Sequence, residues 1–207
     1  MMHPAERPFR VTVYASSSER IHADYFAPAE ELGWLIADRG FELVWGGGRF
    51  GLMGAVSRGA RRRGGTMRGI ILQMFVDKNV HCPHTEEMES VTDMRTRKRG
   101  LDEAGDAYVV LPGGLGTLEE AMEILSFKQL GFHHKPVVLL NTKNYWDPLI
   151  AMIERGFDEG FIQSHYRGVY AVAQTPAQAI EHIVTAKPWN PAPWHASLAD
   201  KPGGGAG

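Results

Sequence analysis

The sequence predicts a single α/β domain in which a doubly wound parallel sheet is covered by helices on both faces. Short apolar runs rich in Val, Leu and Ile alternate with longer amphipathic segments, and glycine-rich turns join several of these runs to the segments that follow. Strands that alternate with helices form parallel sheets buried on both faces, so their strands read as continuous apolar runs. A length of 207 residues suits one such domain.

The first third of the chain predicts three strands separated by two helices. The strands are short β-branched and aromatic runs, and the helices have apolar residues at helical spacing with glycine near their ends. The predicted strands are residues 9–14, 41–45 and 66–72, and the predicted helices are residues 26–37 and 51–63.

The remainder continues the alternation after a long loop at residues 73–86, which contains Pro83. Strands are predicted at 89–91, 106–111, 136–141 and 169–173, and helices at 94–104, 116–130, 146–160 and 176–186. The domain is therefore expected to occupy residues 1–187. Residues 188–207 are rich in Pro and Gly and have no periodicity, so we expect a tail outside the fold.

Composition narrows the class of protein and of partner. Hydrophobic residues make up 43% of the chain and charged residues 22%, which is ordinary for a globular protein. The net charge of -2 argues against nucleic acid as the main partner. Cys82 has no second cysteine to pair with, and neither a secretory leader nor an apolar run of about 20 residues is evident. We expect a cytoplasmic protein without membrane attachment.

The glycine-rich turn between the strand at 106–111 and the helix at 116–130 predicts phosphate binding. It reads Pro112-Gly113-Gly114-Leu115-Gly116-Thr117. Glycines let the backbone approach a ligand, and the N–H groups and dipole of a helix N-terminus attract an anion. A plain strand-to-helix turn is the alternative, but strand, turn and helix together favour phosphate. This turn has no Gly-Lys-Ser/Thr ending, which argues against nucleoside triphosphate hydrolysis.

Carboxylates and one arginine are candidates for the chemistry. Glu119, Glu120 and Glu123 crowd the helix after the glycine turn, where the helix dipole favours acidic residues in any case. In the helix at 94–104, Met94, Arg97 and Leu101 share a stripe, so Arg97 turns inward if the other two face the core. A buried arginine needs an anionic partner, and either Glu120 or a substrate phosphate would serve.

Two segments together resemble the Lonely Guy family of cytokinin-activating phosphoribohydrolases. Residues 94–98 match the family's M-R-x-R-K signature, and residues 112–120 match P-G-G-x-G-T-x-x-E. Similar text at residues 13–18, 46–54 and 135–137 extends the resemblance over roughly residues 9–185. Ala15-Ser16 departs from the family's pattern before its serines. Leu72-Gln73-Met74 and Asn79 depart from it in the loop after the third strand, which lies near the family's base pocket, so the resemblance supports the phosphoribosyl half of the substrate more than the base.

The resemblance implies a Rossmann-like homodimer that removes the base from a cytokinin riboside 5′-monophosphate, or from AMP, without a metal or redox cofactor. Arg97 and Glu120 correspond to the family's catalytic pair, with Glu120 stabilising an oxocarbenium-like sugar and Arg97 holding Glu120 ionised by lowering its pKa. The candidate phosphate and substrate contacts are Ser17, Gly47, Met94, Lys98, Gly113, Gly114, Leu115, Gly116, Thr117 and Glu119.

The sequence favours a carrier or a metal site less than a hydrolase. A non-catalytic carrier of a nucleotide or phosphorylated cofactor would use the same glycine turn, but it has no evident need for a buried Arg97–Glu120 pair. The His81-Cys82-Pro83-His84 segment matches no closed zinc set, and no second ligand pair is apparent, so no metal site is predicted.

Overall fold

A seven-stranded parallel sheet forms the centre of the protein. The computed structural model describes residues 7–85 and 87–190. The strands are β1 (Arg10–Tyr14), β2 (Glu42–Trp45), β3 (Met67–Leu72), β4 (Glu87–Val91), β5 (Ala107–Val110), β6 (Val137–Leu140) and β7 (Ala171–Ala173). The sheet order is β4-β3-β2-β1-β5-β6-β7, so the chain winds outward from β1 to β4 and then in the opposite direction from β5 to β7. This confirms the predicted doubly wound α/β fold.

Helices cover both faces of the sheet because successive strand residues point to opposite sides. In β2, Leu43 and Trp45 pack with α1, α2 and α7, whereas Val44 packs with α4 and α5 on the other face. All three side chains are fully buried. The helices are α1 (Phe26–Asp38), α2 (Gly51–Arg62), α3 (Gln73–Asp77), α4 (Met94–Ala104), α5 (Leu115–Leu130), α6 (Asp147–Asp158) and α7 (Pro176–Val184).

The predicted loop at residues 73–86 was wrong at its start, where the chain forms the short helix α3. Gln73 Nε2 donates to Asp77 Oδ1 at 2.8 Å, which links the two ends of this helix. Strand β4 also begins two residues earlier than predicted. It is an edge strand whose Glu87 and Glu89 are exposed and pair with Arg68, so it lacks the apolar run that marks a buried strand.

Part of the predicted tail can be followed beyond α7. Trp189 is half-buried and packs against the cluster that contains α5, while residues 191–207 lie outside the described residues. No helix within residues 7–85 and 87–190 has both the length and the apolar character needed to cross a bilayer.

Candidate active site

The candidate active site lies where the winding of the sheet reverses, between β1 and β5. These strands are paired, with Val13 opposite Val109. The segments that follow them lead to helices on opposite faces, which leaves a crevice at the carboxyl edge of the sheet, the usual ligand position in such folds. A cavity of about 440 Å³ opens at this point. Its walls include residues 15–18 after β1 and several residues of the glycine turn after β5.

The glycine turn after β5 presents the N-terminus of α5 to this cavity. Gly114 is the N-cap residue and has no side-chain cap, so no side chain satisfies the first backbone N–H groups of α5. Gly114, Gly116 and Thr117 of this segment line the cavity. Gly113 packs so closely on Thr117 that an added Cβ would lie 2.1 Å from Thr117 Oγ1. Tyr145 also stabilises the turn, because its hydroxyl donates a hydrogen bond to the Gly113 carbonyl at 2.6 Å.

The second glycine turn, at residues 46–51, is organised differently. The backbone N–H groups of Leu52 and Met53 donate to the Ser16 carbonyl at 2.8 and 3.2 Å. The first turn of α2 is therefore occupied by the chain itself, although Gly46, Gly48 and Gly51 have the G-x-G-x-x-G spacing of a dinucleotide turn. Of the two turns, the one before α5 is the one whose glycines line the cavity, and its helix N-terminus has no side-chain cap.

Arg97 and Glu120 meet beside the α5 N-terminus. Arg97 Nη1 donates to Glu120 Oε1 at 3.0 Å, and Arg97 Nε donates to the Ile70 carbonyl at 3.1 Å. Only 11% of the Arg97 side chain and 13% of the Glu120 side chain are exposed. Both residues line the cavity, so the pair offers a carboxylate oriented by a fixed guanidinium to any ligand bound there.

Burial raises the pKa of Glu120, which differs from the sequence-based expectation that Arg97 would lower it. Removal of the carboxylate from water is the dominant cause, and the attraction of Arg97 offsets part of it. A raised pKa strengthens a carboxylate as a proton acceptor, because the best general base has a pKa close to the working pH. The guanidinium thus limits the rise of this pKa instead of reversing it.

Lys98 joins α4 to α5 next to this pair. Its Nζ donates to Glu119 and, at 3.1 Å, to Glu123 Oε1. The hydrogen bond to Glu119 is the main reason that the pKa of Lys98 is raised. Asp93 fixes the start of α4, because its Oδ1 accepts from the backbone N–H groups of Arg95 and Thr96 at 3.0 Å each.

Comparison with known proteins places these features in a family. A family model described as possible lysine decarboxylase matches residues 53–183. A probable cytokinin riboside 5′-monophosphate phosphoribohydrolase of Oryza sativa subsp. japonica is 38% identical over 174 residues, which cover 84% of this chain and 71% of the relative. A cytokinin riboside 5′-monophosphate phosphoribohydrolase of Arabidopsis thaliana is 36% identical over 181 residues, covering 87% and 79%. The chain belongs to the Lonely Guy family.

Solved structures extend the likeness in fold beyond the Lonely Guy family. A molybdenum cofactor binding protein from Rippkaea orientalis superposes with a TM-score of 0.68 at 24% identity, covering 87% of this chain and 98% of that protein. The molybdenum cofactor carrier protein of Chlamydomonas reinhardtii gives 0.66 at 23% identity, covering 86% and 96%. At such identities the likeness establishes a shared fold.

The structure brings most of the candidate Lonely Guy site residues to one cavity. Those that line it are Ser17, Met94, Arg97, Gly114, Gly116, Thr117, Glu119 and Glu120. Gly113 and Lys98 do not line the cavity but contact residues that do, since Gly113 packs on Thr117 and Lys98 donates to Glu119. Leu115 is 86% exposed, and Gly47 packs instead against Ile71 and Met88.

Several lining residues were not singled out from the sequence. Phe75 of α3 and Met53 of α2 contribute apolar walls. Gly46 has a different role, because an added Cβ there would lie 2.2 Å from Arg97 Nη2. The signal for Gly46 was present in its glycine run, but its packing against Arg97 depends on how β2 and α4 are stacked. Phe75 was hidden in a segment predicted to be a loop.

The His81-Cys82-Pro83-His84 segment is part of the loop packing. The Cys82 backbone N–H donates to the Gly47 carbonyl at 2.8 Å, and His81 forms a bridge with Gly48. In residues 7–85 and 87–190, no group of three or more His, Cys, Asp or Glu side chains is arranged to hold a metal ion.

Proposed function

We propose that this protein hydrolyses the N-glycosidic bond of a nucleoside 5′-monophosphate and releases free base and ribose 5-phosphate. The observation that carries the proposal is the buried Arg97–Glu120 pair, which lines the same cavity as the uncapped N-terminus of α5. The named relatives are phosphoribohydrolases, and this arrangement offers a phosphate site and a carboxylate side by side.

The 5′-phosphate would bind at the start of α5. The backbone N–H groups of Leu115, Gly116 and Thr117 belong to the first turn, and the helix dipole favours an anion there. Gly114 and Gly116 leave space, since an added Cβ at either position meets no protein atom within 4 Å. Leu115 can thus take part through its backbone while its side chain points to solvent.

The sugar would then lie against Glu120. Cleavage of the bond between C1′ and the base nitrogen builds positive charge on the sugar ring, and the Glu120 carboxylate is placed to stabilise that charge. Water adds its oxygen to C1′ and one of its protons passes to the carboxylate. The base leaves with the bonding electron pair and takes up a proton from solvent, and the carboxylate returns its proton to solvent, so the net reaction consumes one water. Arg97 orients the carboxylate and limits the rise of its pKa.

The substrate, assembly and location follow as finer parts of the proposal. AMP and a cytokinin riboside 5′-monophosphate are the two candidate substrates, because they share the phosphoribosyl group and differ at the N6 atom of adenine.

We propose a homodimer, supported by the large apolar side chains exposed along and after α5, namely Leu115, Met122, Leu130 and Phe132. We propose a cytoplasmic location, which the single cysteine favours.

The test is base release by the purified protein and by Glu120→Gln. Each would be incubated with AMP and with isopentenyladenosine monophosphate, and free base and ribose 5-phosphate would be followed by chromatography. Glu103→Gln is the matched control, since Glu103 is an exposed residue of α4 away from the cavity. Base release that Glu120→Gln lowers about a hundredfold or more, with Glu103→Gln unaffected, supports the proposal. Nucleotide binding without base release in the unmodified protein would instead indicate a carrier.

A further inference from the structure

A second cavity lies at the edge of the sheet opposite the candidate active site. Its volume is about 210 Å³, and it shares no lining residue with the larger cavity. Its walls come from the segments where β6 and β7 begin, from the C-terminal part of α5, and from the end of α7 with the residues that follow. Because parallel strands begin at this edge, the cavity is independent of the crevice where β1 and β5 end.

Lys128 is the buried charge of this cavity. Only 4% of the residue is exposed. Within the part of the chain that the structure describes, its ammonium has no carboxylate partner and no hydrogen-bond acceptor, and its one described contact is the ring of Trp189, 5.0 Å away. Burial alone lowers the pKa of Lys128 from 10.5 to about 8, so the side chain still carries its charge at neutral pH.

Trp189 adds a second donor without a partner. Its side chain lines the same cavity, and its Nε1 is buried with no hydrogen-bond partner among the described residues. The indole ring packs against the backbone of Gly168, where an added Cβ would lie 3.5 Å from Trp189 Cζ3. Buried donors are normally satisfied, and an unsatisfied one carries a large desolvation cost.

The rest of the described lining adds one more cation and no carboxylate. Lys187 contributes a second ammonium, His134 and His182 contribute imidazoles, Tyr170 contributes a phenol, and no Asp or Glu is among the described residues of this lining. An ammonium and an indole N–H both require an acceptor, and a negatively charged oxygen satisfies both. A cavity of about 210 Å³ is large enough for a phosphate or a carboxylate with a few waters and is smaller than the site proposed for the nucleotide.

We propose that this cavity is a second anion site, in which the Lys128 ammonium and the Trp189 indole N–H bind a small oxyanion, either a phosphate or a carboxylate group. The site is separate from the hydrolytic one, so its occupancy does not depend on the proposed function. The oxyanion has two possible sources, free solute or a carboxylate of residues 191–207, of which Asp200 is one.

The test follows the indole N–H signals of the full chain by ¹H–¹⁵N NMR during titration with inorganic phosphate. The protein has five tryptophans, and the four that the structure describes, at positions 34, 45, 146 and 189, do not line the candidate active site. Trp189→Phe assigns the Trp189 signal, and Lys128→Met removes the charge while retaining a side chain of similar length. We expect a saturable shift of the Trp189 signal that is absent in Lys128→Met, while base release from AMP is unchanged.

Asp200→Asn distinguishes the two sources. A phosphate response in the unmodified chain supports a site open to solutes, and a response that appears only in Asp200→Asn supports the same site occupied by the chain's own carboxylate. A Trp189 signal that phosphate leaves unmoved in both proteins, or moves equally in Lys128→Met, overturns the proposal. Melting temperature gives a second measurement, because phosphate should raise it more in the unmodified chain than in Lys128→Met.

Discussion

Arg97 and Glu120 belong to helices that follow different strands, yet Nη1 of the arginine lies 3.0 Å from Oε1 of the glutamate at the mouth of the same cavity. The guanidinium is also anchored to β3 through the Ile70 carbonyl. The position of the carboxylate therefore depends on three elements that meet only in the folded domain.

Removal of Arg97 should change how activity depends on pH. Burial already raises the pKa of Glu120, and Arg97 is the main group that opposes the rise. In Arg97→Met the pKa of Glu120 should rise further, so the carboxylate is protonated at higher pH than before. We expect the acidic limb of the kcat/KM profile to move to higher pH, with Arg97→Lys restoring part of the original position. An unmoved limb would show that Arg97 does not act through Glu120.

Substitution of Gly46 should disable the site without unfolding the domain. In Gly46→Ala the new Cβ would lie 2.2 Å from Arg97 Nη2 and 3.1 Å from Met53 Sδ, and both side chains can shift at their ends without displacing backbone. We expect base release to fall about tenfold or more, because the guanidinium leaves Glu120. Gly100→Ala on α4 is the control, since its Cβ meets only the Ile70 side chain, and it should retain activity. Equal activity in both variants would contradict the prediction.

Gly116→Ala should separate the needs of the fold from those of the ligand. An added Cβ at Gly116 meets no protein atom within 4 Å, and alanine stabilises a helix relative to glycine by roughly 0.5–1 kcal/mol. The melting temperature should therefore hold or rise. Gly116 lines the cavity, so the added methyl group should take up space that the substrate needs, and the KM for AMP should increase. An unchanged KM would indicate that the phosphate binds elsewhere.

Lys128 should make stability depend on pH in the alkaline range. Its pKa is about 8 in the folded protein and near 10.5 in the unfolded chain, so between these values the unfolded state binds more protons and stability rises with pH. Below about pH 8 the penalty for the buried charge is fully present and constant. Across this range the free energy of unfolding should rise by about 3 kcal/mol.

Urea unfolding at pH 7.5 to 10.5 measures this change, with Lys128→Met as the reference. Other groups around the cavity, His134, His182, Lys187 and Tyr170, are common to both proteins, so the difference between the two curves isolates Lys128. Parallel curves across this range would show that the ammonium is compensated, for instance by a bound oxyanion, and repeating the titration with phosphate added should flatten the difference.

Most of the fold was predictable because the buried strands carry a local signal. The apolar runs that became β1, β2 and β5 are buried on both faces, so their composition alone marks them. Helix α3 and strand β4 were harder to predict because they lie at the edge of the sheet. Exposed polar residues such as Glu87 and Glu89 are tolerated there, so the apolar run that marks a buried strand is missing. The glycine turn before α5 was also predictable from local sequence, because the strand, the turn and the helix follow one another directly along the chain.

The chemistry of the site was only partly predictable. The stripe of α4 indicated that Arg97 would need an anionic partner, and the structure shows Glu120 in that position. Leu101 faces the core as that argument required, whereas Met94 is 46% exposed and lines the cavity. The direction of the Glu120 pKa shift was not accessible, because it depends on how much water the whole cavity excludes. Gly46 was equally hidden, since its contact with Arg97 joins residues that are distant in sequence.

The cavity wall that carries Phe75 has a consequence for how this protein can change over evolution. Phe75 belongs to the five-residue helix α3 near the sheet margin, whereas the glycine turn and Glu120 follow the central strand β5. Mutations in α3 disturb few buried neighbours, while mutations around β5 disturb the core. Under the proposed function, substitutions in α3 can change the preference for the base while Arg97, Glu120 and the glycine turn stay the same.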